Sequence, residues 1–409
     1  MLRRPVCVFV SLFLLSAFPL LPAGDPAKAS MDASVLARIP ARMKAYVDQG
    51  VIPGAVTLVQ RKGVLAALDA VGMQDMEAKK PMQTDSIFQI MSMTKPFTGV
   101  AIMMLVEEGK LRLNDPVEKH LPEFRDQWVI ESKTNTTRSL RKPARPITIR
   151  DLMSHTSGMQ TQPPPGIADL YARGHKNLAE AVSIFSQQPL EFDPGTRWLY
   201  SNMGIDTLGR IVEVASDTPF EKFLETRIFV PLGMKDSHIF LPADKQARLA
   251  PVYAPKDGAI AKMGPGFYGG DPMNYRKGSV YSGPAYALYS TAPDLARFYQ
   301  MMLNKGTLDG KRLLSPLSVD VMTSVHTGNL QAGHNPGTGF GLTWEVTRET
   351  AGTLTFQSVG TFGHGGAYGT YGWIDPKKEL VGVFMIQFSG SRTDVRDAFV
   401  EIANSAVIP

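Results

Sequence analysis

Strand-like segments stand near both ends of this 409-residue chain, and a long stretch with helical patterns separates them. Near the amino terminus, Ala55–Gln60 and Val64–Val71 flank the turn Lys62-Gly63, which is typical of an antiparallel hairpin. Strand character returns near the carboxyl terminus, at Gly341–Arg348, Thr353–Val359, Tyr368–Ile374 and Leu380–Phe388. This pattern predicts one sheet made from both termini. The chain leaves the sheet, builds a helical part and returns to complete it.

Residues 111–285 are the predicted helical part, because this stretch is rich in proline, glycine and short helical patterns and has few alternating segments. Further helices are predicted at Ala33–Gln49, Ser92–Glu108 and Thr393–Ala406. A chain of this length exceeds the size at which a single core usually stops growing. We therefore expect residues 30–409 to form one large domain, with residues 111–285 as an inserted, mainly helical subdomain.

Residues 1–29 have the pattern of a secretory signal peptide. Arg3 and Arg4 precede the apolar run Val6–Leu21, and Ala27-Lys28-Ala29 offers a small-x-small cleavage site. The alternative is an uncleaved membrane anchor, but the run is shorter than the roughly 20 residues of a spanning helix. We therefore predict a secreted or periplasmic bacterial protein with no stable membrane anchor after cleavage.

Composition excludes several other classes of protein. Cys7 lies in the predicted leader, so the mature chain has no cysteine for disulfides, thiolate metal sites or a nucleophile. The formal net charge of +5, part of which belongs to the leader, is too small to indicate nucleic acid binding. Most of the histidines are scattered without metal-ligand spacing, so neither a metal nor a cofactor is expected. They are His120, His155, His175, His238, His326 and His334.

The sequence Ser92-Met93-Thr94-Lys95 lies where a loop changes into a predicted helix. Residues three apart on a helix share a face, so the Lys95 amine can lie beside the Ser92 hydroxyl. A serine hydroxyl becomes a good nucleophile when a neighbouring base removes its proton. The Ser92 backbone N–H at the helix start can also stabilise a developing oxyanion. By itself this short motif is weak, and an exposed polar face is the alternative.

Two further motifs supply groups that such a nucleophile needs. Tyr200-Ser201-Asn202 precedes a predicted helix, and a tyrosine hydroxyl beside a lysine ammonium loses its proton more readily. His364-Gly365-Gly366-Ala367 lies between strand-like runs, where consecutive glycines let the backbone approach a ligand and the Ala367 N–H can face an oxyanion. A packing aromatic and a bulged hairpin are the alternatives.

The order of these motifs is similar to that of a known superfamily, and four other phrases support the similarity. They are Asp151-Leu152-Met153-Ser154-His155-Thr156-Ser157-Gly158, Pro231-Leu232-Gly233-Met234, Ser290-Thr291-Ala292 with Asp294-Leu295-Ala296-Arg297-Phe298, and Phe340-Gly341-Leu342 with Trp344. From Val35 to the C-terminus the chain resembles the serine β-lactamase and penicillin-binding protein superfamily. It is most similar to the class C β-lactamase-related branch, which includes family VIII carboxylesterases, D-Ala-D-Ala carboxypeptidases and D-aminopeptidases.

The resemblance implies an α+β, β-lactamase/transpeptidase-like fold with a central antiparallel sheet flanked by helices. It implies that Ser92 is acylated, that Lys95 activates it and that Tyr200 is the second base. Asn202 would orient the substrate, together with His364, Gly365 and Gly366. The N–H groups of Ser92 and Ala367 would form the oxyanion hole.

One departure from the pattern bears on the substrate. Many β-lactamases and carboxypeptidases of this superfamily carry a lysine where this chain has His364. Histidine is mostly neutral near pH 7 and attracts a substrate carboxylate less well. We therefore favour a carboxylesterase acting on short or medium acyl esters. A β-lactamase, a D-Ala-D-Ala carboxypeptidase or a D-amino-acid amidase is the alternative, and a non-catalytic ligand-binding module is the alternative of another class. The sequence leaves the oligomeric state open.

Overall fold

A computed structural model describes residues 24–164, 174–264, 278–353 and 355–409. Most of the predicted signal peptide, residues 1–23, lies outside the described residues. Residues 26–30 form a turn against the folded body. The Asp25 N–H donates to the carbonyl of Leu65 at 3.0 Å, and Ala29 is fully buried.

The helices of the described residues are α1 (Ala33–Leu36), α2 (Arg38–Asp48), α3 (Lys95–Glu107), α4 (Ile149–Met153), α5 (Leu178–Phe185), α6 (Asn202–Ser216), α7 (Phe220–Leu224), α8 (Val230–Leu232), α9 (Ala292–Leu303), α10 (Pro316–Thr323), α11 (Thr350–Thr353) and α12 (Thr393–Ser405). Short 3₁₀ segments lie at Met91–Thr94, Val117–Lys119, Pro122–Phe124 and Ala243–Arg248, and a π-helical turn at Glu225–Phe229. The helix predicted over Ala33–Gln49 is therefore divided into α1 and α2, which meet at Ala37.

The strands are β1 (Gly54–Arg61), β2 (Val64–Asp75), β3 (Lys80–Pro81), β4 (Phe88–Gln89), β5 (Val129–Lys133), β6 (Arg138–Arg141), β7 (Tyr253–Lys256), β8 (Ala259–Lys262), β9 (Tyr289–Ser290), β10 (Thr307–Leu308), β11 (Lys311–Arg312), β12 (Thr338–Phe340), β13 (Glu345–Thr347), β14 (Phe362–Gly365), β15 (Tyr371–Asp375) and β16 (Leu380–Met385). Within the described residues, eight of them form one antiparallel sheet in the order β12-β13-β14-β15-β16-β1-β2-β3. The two-stranded ladders β4-β9, β5-β6, β7-β8 and β10-β11 lie apart from it.

The sheet is made from both ends of the chain, as predicted. Strand β1 pairs with β2 on one side and with β16 on the other, and Val56 lies opposite Met385 in the second pairing. The first three strands come from the amino-terminal part and the other five from the carboxyl-terminal part. The α+β fold with a central antiparallel sheet is therefore confirmed.

One predicted strand is wrong. In place of a strand at Thr353–Val359, the chain has the end of α11 followed by loop residues, and residue 354 lies outside the described residues. The segment that pairs with β13 and β15 in the sheet is β14, which includes His364 and Gly365. Phe356 has a φ of 59°, a left-handed conformation that does not belong to a strand. His364 is therefore part of the sheet, not of a connection between strands.

Apolar side chains of β1 alternate between the two faces of the sheet. Val56 and Leu58 belong to a core shared with α3 and α9, whereas Ala55 and Val59 belong to a core shared with α1, α2 and α12. This alternation follows from the two-residue period of a strand. The sheet is therefore a buried middle layer with helices on both faces.

Residues 111–285 contain helices α4 to α8 in their described part, together with the small ladders β5-β6 and β7-β8. Helix α6 packs against α3, α4 and α5. These contacts place the start of α6 next to the start of α3. No helix in the described residues is long and apolar enough to cross a membrane.

Gly382→Ala tests how tightly the sheet packs under α12. Gly382 lies opposite Trp373, and a Cβ at this position would lie 2.1 Å from the indole ring. Trp373 is fully buried, so it cannot move aside freely. We expect Gly382→Ala to destabilise the fold by about 1–3 kcal/mol, as overpacking does. Denaturant midpoints would measure this.

Gly264→Ala is the matched control, because no described residue lies within 4 Å of the Cβ that it would add. Equal denaturant midpoints for the two variants would contradict the packing argument.

Candidate active site

Ser92 lies in the 3₁₀ turn Met91–Thr94, directly before α3. The turn is held by the Thr94 hydroxyl, which donates to the Met91 carbonyl at 2.6 Å. Met91 has a φ of 50°, a left-handed conformation that is uncommon for a residue other than glycine. The predicted helix over Ser92–Glu108 is therefore present, with its first turn tightened around the serine.

The amine of Lys95 is held by three acceptors. It lies 3.0 Å from the Ser92 hydroxyl oxygen, 2.8 Å from the amide oxygen of Asn202 and 2.8 Å from the carbonyl of Ala285. An ammonium has three donors, so these contacts use all of them. When Lys95 loses a proton, the nitrogen gains a lone pair that can accept the proton of Ser92.

Burial makes that loss of a proton easier. Lys95 is fully buried, and desolvation lowers its pKa from 10.5 to about 7, although the negative charge of Asp206 opposes this shift. A large fraction of the amine is therefore neutral near pH 7. The structure gives Lys95 the property that a base for Ser92 requires.

Tyr200 and Asn202 come from the start of α6. The Ser201 hydroxyl caps this helix by accepting from the Gly204 N–H at 3.0 Å, and it donates to the Gln160 carbonyl at 2.6 Å. Asn202 is the first helical residue and is buried. The Lys95 nitrogen lies 4.7 Å from the centre of the Tyr200 ring. The structure thus brings together Ser92, Lys95, Tyr200 and Asn202, which the sequence predicted as one site.

His155 supports this arrangement through contacts with Ser201 and Tyr200. It is fully buried, accepts a hydrogen bond from the Ser201 N–H at 3.2 Å and packs against Tyr200 with 4.5 Å between ring centroids. Desolvation, followed by the nearby charge of Lys95, lowers the pKa of His155 well below its ordinary value. A neutral His155 is what accepting the Ser201 N–H requires.

His364 lies on the opposite wall, near the end of β14. Its ring is 6.1 Å from that of Tyr200, and its Nδ1 lies 2.7 Å from the Gly365 carbonyl. The side chain is almost fully buried, and desolvation together with Lys95 lowers its pKa to about 3. His364 is thus neutral at pH 7. Its buried side chain is also less accessible to a substrate carboxylate than an exposed cation would be.

The glycines after His364 allow β14 to approach the serine turn. A Cβ on Gly366 would lie 2.3 Å from the carbonyl oxygen of Ile90, two residues before Ser92. The Thr370 hydroxyl donates to this same carbonyl at 3.2 Å. Ala367 follows Gly366 in an exposed turn. Gly366 therefore lies beside the backbone that leads into the serine turn, and the oxyanion hole of the Ser92 and Ala367 N–H groups stays a prediction.

The sequence did not predict the role of Asp206, which fixes the position of Ala285, the third acceptor of the Lys95 amine. Asp206, one helical turn after Asn202, accepts from the Ala285 N–H at 2.9 Å and from the Tyr281 hydroxyl at 2.6 Å. It thereby fixes the loop whose Ala285 carbonyl contacts Lys95. The signal that the sequence offered for this role was an acidic residue, Asp206, within the apolar stripe of α6.

Sequence reasoning also left His334 among the scattered histidines. Its ring packs on Tyr200 with 5.0 Å between centroids, and its Nδ1 lies 3.2 Å from a carboxylate oxygen of Glu345. No local pattern links His334 to Tyr200, because they are 134 positions apart in the chain. Among the described residues, no cluster of three or more acidic, histidine or cysteine side chains could hold a metal.

Asp206→Asn tests the electrostatic balance at Lys95. Removing a negative charge that favours the ammonium should lower the pKa of Lys95 further. Because the neutral amine activates Ser92, the rise in reactivity with pH should move to lower pH. The measurement is the rate of Ser92 labelling by a fluorophosphonate across about pH 5–11, a range that spans the reference pKa values of histidine and lysine, roughly 6.5 and 10.4.

Asp320→Asn is the control, because Asp320 is an exposed acid paired with Lys305 outside the site. A midpoint that stays in place or rises in Asp206→Asn would contradict the assignment of Lys95 as the base.

Known proteins resemble this chain over most of its length. It matches the Beta-lactamase family over residues 39–406. It is 30% identical to esterase EstB of Burkholderia gladioli, covering 86% of this chain and 90% of EstB. It is 31% identical to lovastatin esterase of Penicillium rubens, covering 84% and 91%.

The structure of EstCE1, described as a hydrolase with promiscuous acyltransferase activity, superposes with a TM-score of 0.76 at 24% identity. This match covers 91% of the present chain and 98% of EstCE1, and it shows the shared fold. The esterase relatives argue for an enzyme and against the alternative of a non-catalytic binding module. The chain belongs to the beta-lactamase family and is a serine hydrolase.

Proposed function

We propose that this serine hydrolase is a carboxylesterase that forms an acyl-enzyme on Ser92 and acts on short or medium acyl esters. The observation that carries the proposal is the 3.0 Å contact between the Ser92 hydroxyl and a buried Lys95 whose pKa is lowered to about 7. A base with a pKa near the working pH is well suited to remove the proton of a nucleophile.

In the acylation step, neutral Lys95 accepts the Ser92 proton while the serine oxygen attacks the ester carbonyl. The carbonyl oxygen gains negative charge, which the N–H groups of Ser92 and Ala367 stabilise. Collapse of this intermediate breaks the bond to the leaving alcohol, which receives a proton from the Lys95 and Tyr200 pair. The products are the alcohol and an ester of Ser92.

In the deacylation step, water attacks the Ser92 ester and the same pair of residues accepts its proton. The proton then returns to the Ser92 oxygen as the acid leaves. The position of the Tyr200 ring, 4.7 Å from the Lys95 amine, supports this role.

Two observations favour esters over β-lactams and peptides. Two relatives that are at least 30% identical are named as esterases. In addition, a neutral His364 offers little attraction to the carboxylate that penicillins, cephalosporins and D-Ala-D-Ala peptides carry, and no penalty to an uncharged ester. The buried position of His364 strengthens this argument, since burial is the main cause of its neutrality.

A comparison of substrates tests the proposal. We expect kcat/KM for p-nitrophenyl acetate and butyrate to exceed that for a chromogenic cephalosporin and a D-Ala-D-Ala peptide by at least about tenfold. Ser92→Ala should lower turnover of every substrate by several orders of magnitude, as removal of a nucleophile does.

Higher turnover of the cephalosporin or the peptide would show a β-lactamase, a carboxypeptidase or an amidase instead. Ser92→Ala with even about a tenth of the wild-type activity would contradict a covalent mechanism at this residue.

We also propose that the chain is exported and that its leader is removed. The charged, apolar and small-residue order of residues 1–29 supports this proposal. Cleavage after Ala29 would remove the contacts of Asp25 and Ala29 with the folded body, whereas an earlier cleavage would keep them.

The intact mass of the protein from a periplasmic extract would locate its first residue. We expect a first residue between Gly24 and Ser30, because the small-x-small cleavage site Ala27-Lys28-Ala29 lies in this segment. A full-length chain starting at Met1 and confined to the cytoplasm would contradict export.

A further inference from the structure

Three imidazole rings surround Tyr200, and they differ in exposure. His155 and His364 are buried, at ring distances of 4.5 and 6.1 Å from Tyr200. His334 lies 5.0 Å away, and 51% of its side chain is exposed. His334 is therefore the one of these three histidines that a molecule entering from solvent can reach.

Glu345 holds His334 in one orientation. One carboxylate oxygen accepts from the His334 backbone N–H at 3.0 Å, and the other lies 3.2 Å from Nδ1 of the ring. Burial of Glu345 favours its neutral form, but the hydrogen bonds from His334, together with the positive charge of the ring whenever it is protonated, outweigh this and lower the pKa of Glu345 to about 2. Glu345 is thus a carboxylate near pH 7, and a carboxylate only accepts hydrogen bonds.

This contact selects the tautomer of His334. Because Glu345 can only accept, the proton of a neutral His334 ring resides on Nδ1, and Nε2 keeps its lone pair. The ring edge that carries Nδ1 faces a side chain that is only 16% exposed. The other edge carries Nε2, and no described residue contacts Nε2 through a hydrogen bond. His334 thus offers a fixed hydrogen-bond acceptor beside Tyr200.

We propose that His334 orients the water that attacks the acyl-enzyme and so favours hydrolysis over transfer of the acyl group to an alcohol; this rests on the proposed function. Nε2 accepts a hydrogen bond from one O–H of the water, and the other O–H faces the Tyr200 and Lys95 pair. An alcohol has a single O–H, which it must give to that pair, so it gains nothing from Nε2. The Tyr200 and Lys95 pair removes the proton of the attacking hydroxyl.

His334 forms and breaks no covalent bond in this step. A bond forms between the water oxygen and the acyl carbon, and the bond between the Ser92 oxygen and that carbon breaks. The proton taken from the water returns to the Ser92 oxygen. His334 acts in this half-reaction, because the water enters only after the leaving alcohol has departed. It acts on the water, whereas Glu345 is a positioning residue that acts through His334.

His334→Met and His334→Gln form the decisive pair of variants. The two side chains have similar length, but only glutamine carries an oxygen that accepts a hydrogen bond. With p-nitrophenyl acetate, release of p-nitrophenol reports acylation, and the intact mass of acid-quenched enzyme reports the acetyl group on Ser92. Partition of the acetyl group between water and added methanol reports the deacylation step even when acylation limits turnover.

We expect His334→Met to slow loss of the acetyl group by about tenfold, the value of one lost hydrogen bond, with kcat/KM changed less than about twofold. Its products should shift from acetate toward methyl acetate by more than about threefold relative to wild type, because only water uses Nε2, whereas His334→Gln should stay close to wild type in both measurements.

His120→Met is the matched control, because His120 also contacts a carboxylate, Asp115 at 3.0 Å, but makes none of the contacts described for the site. It should leave the rate of acetyl loss and the methanol partition unchanged.

Three outcomes would overturn the role of His334. In the first, kcat and kcat/KM fall together in His334→Met, which would mean that the ring only packs against Tyr200. In the second, His334→Gln is as slow as His334→Met. In the third, neither acetyl loss nor the methanol partition changes. Failure of the proposed function looks different, since the wild type would then release p-nitrophenol from p-nitrophenyl acetate no faster than Ser92→Ala does.

Discussion

The active site depends on placing the amine of Lys95 in a fully buried position with three acceptors around it. Burial lowers its pKa to about 7, and Asp206 limits how far the pKa falls. The three acceptors come from the neighbouring serine turn, from α6 and from the loop at Ala285, so two segments distant in the chain must be in place before the amine acquires this property. Desolvating a charge without such partners costs several kcal/mol. The same contacts that hold the site together therefore also set its chemistry.

The sheet supplies the second wall of the site. Because β14 pairs between β13 and β15 in the carboxyl-terminal part of the sheet, its end reaches the carbonyl of Ile90 just before the serine turn. Gly366 permits this approach, since any side chain there would collide with that carbonyl. Neutral His364 and the Glu345-bound His334 then flank Tyr200 from this wall. The residues of the proposed acylation step thus lie at the helical side, and the groups that we propose to select and orient the reactants lie at the sheet side.

Much of this arrangement could be predicted from short patterns. The spacing of Ser92 and Lys95 sets their contact, because residues three apart share a helical face. The hairpin of β1 and β2 was predicted because alternation and a Lys-Gly turn are local signals. The strand proposed at Thr353–Val359 was wrong because the pairing partners of a strand decide where it lies, and here β14 is the segment that pairs. Asp206 and His334 were missed because their roles arise from contacts with residues far along the chain.

The sequence by itself determined the fold class, the serine and lysine on one helical face, and the motifs that supply Tyr200, Asn202 and the glycines after His364. These features depend on local spacing and on the periods of helices and strands. Only the tertiary structure decided which groups are neutral and which are charged at pH 7. The pKa values of Lys95, His364 and Glu345 depend on burial and on partners from distant segments, and neither exists before the chain has folded.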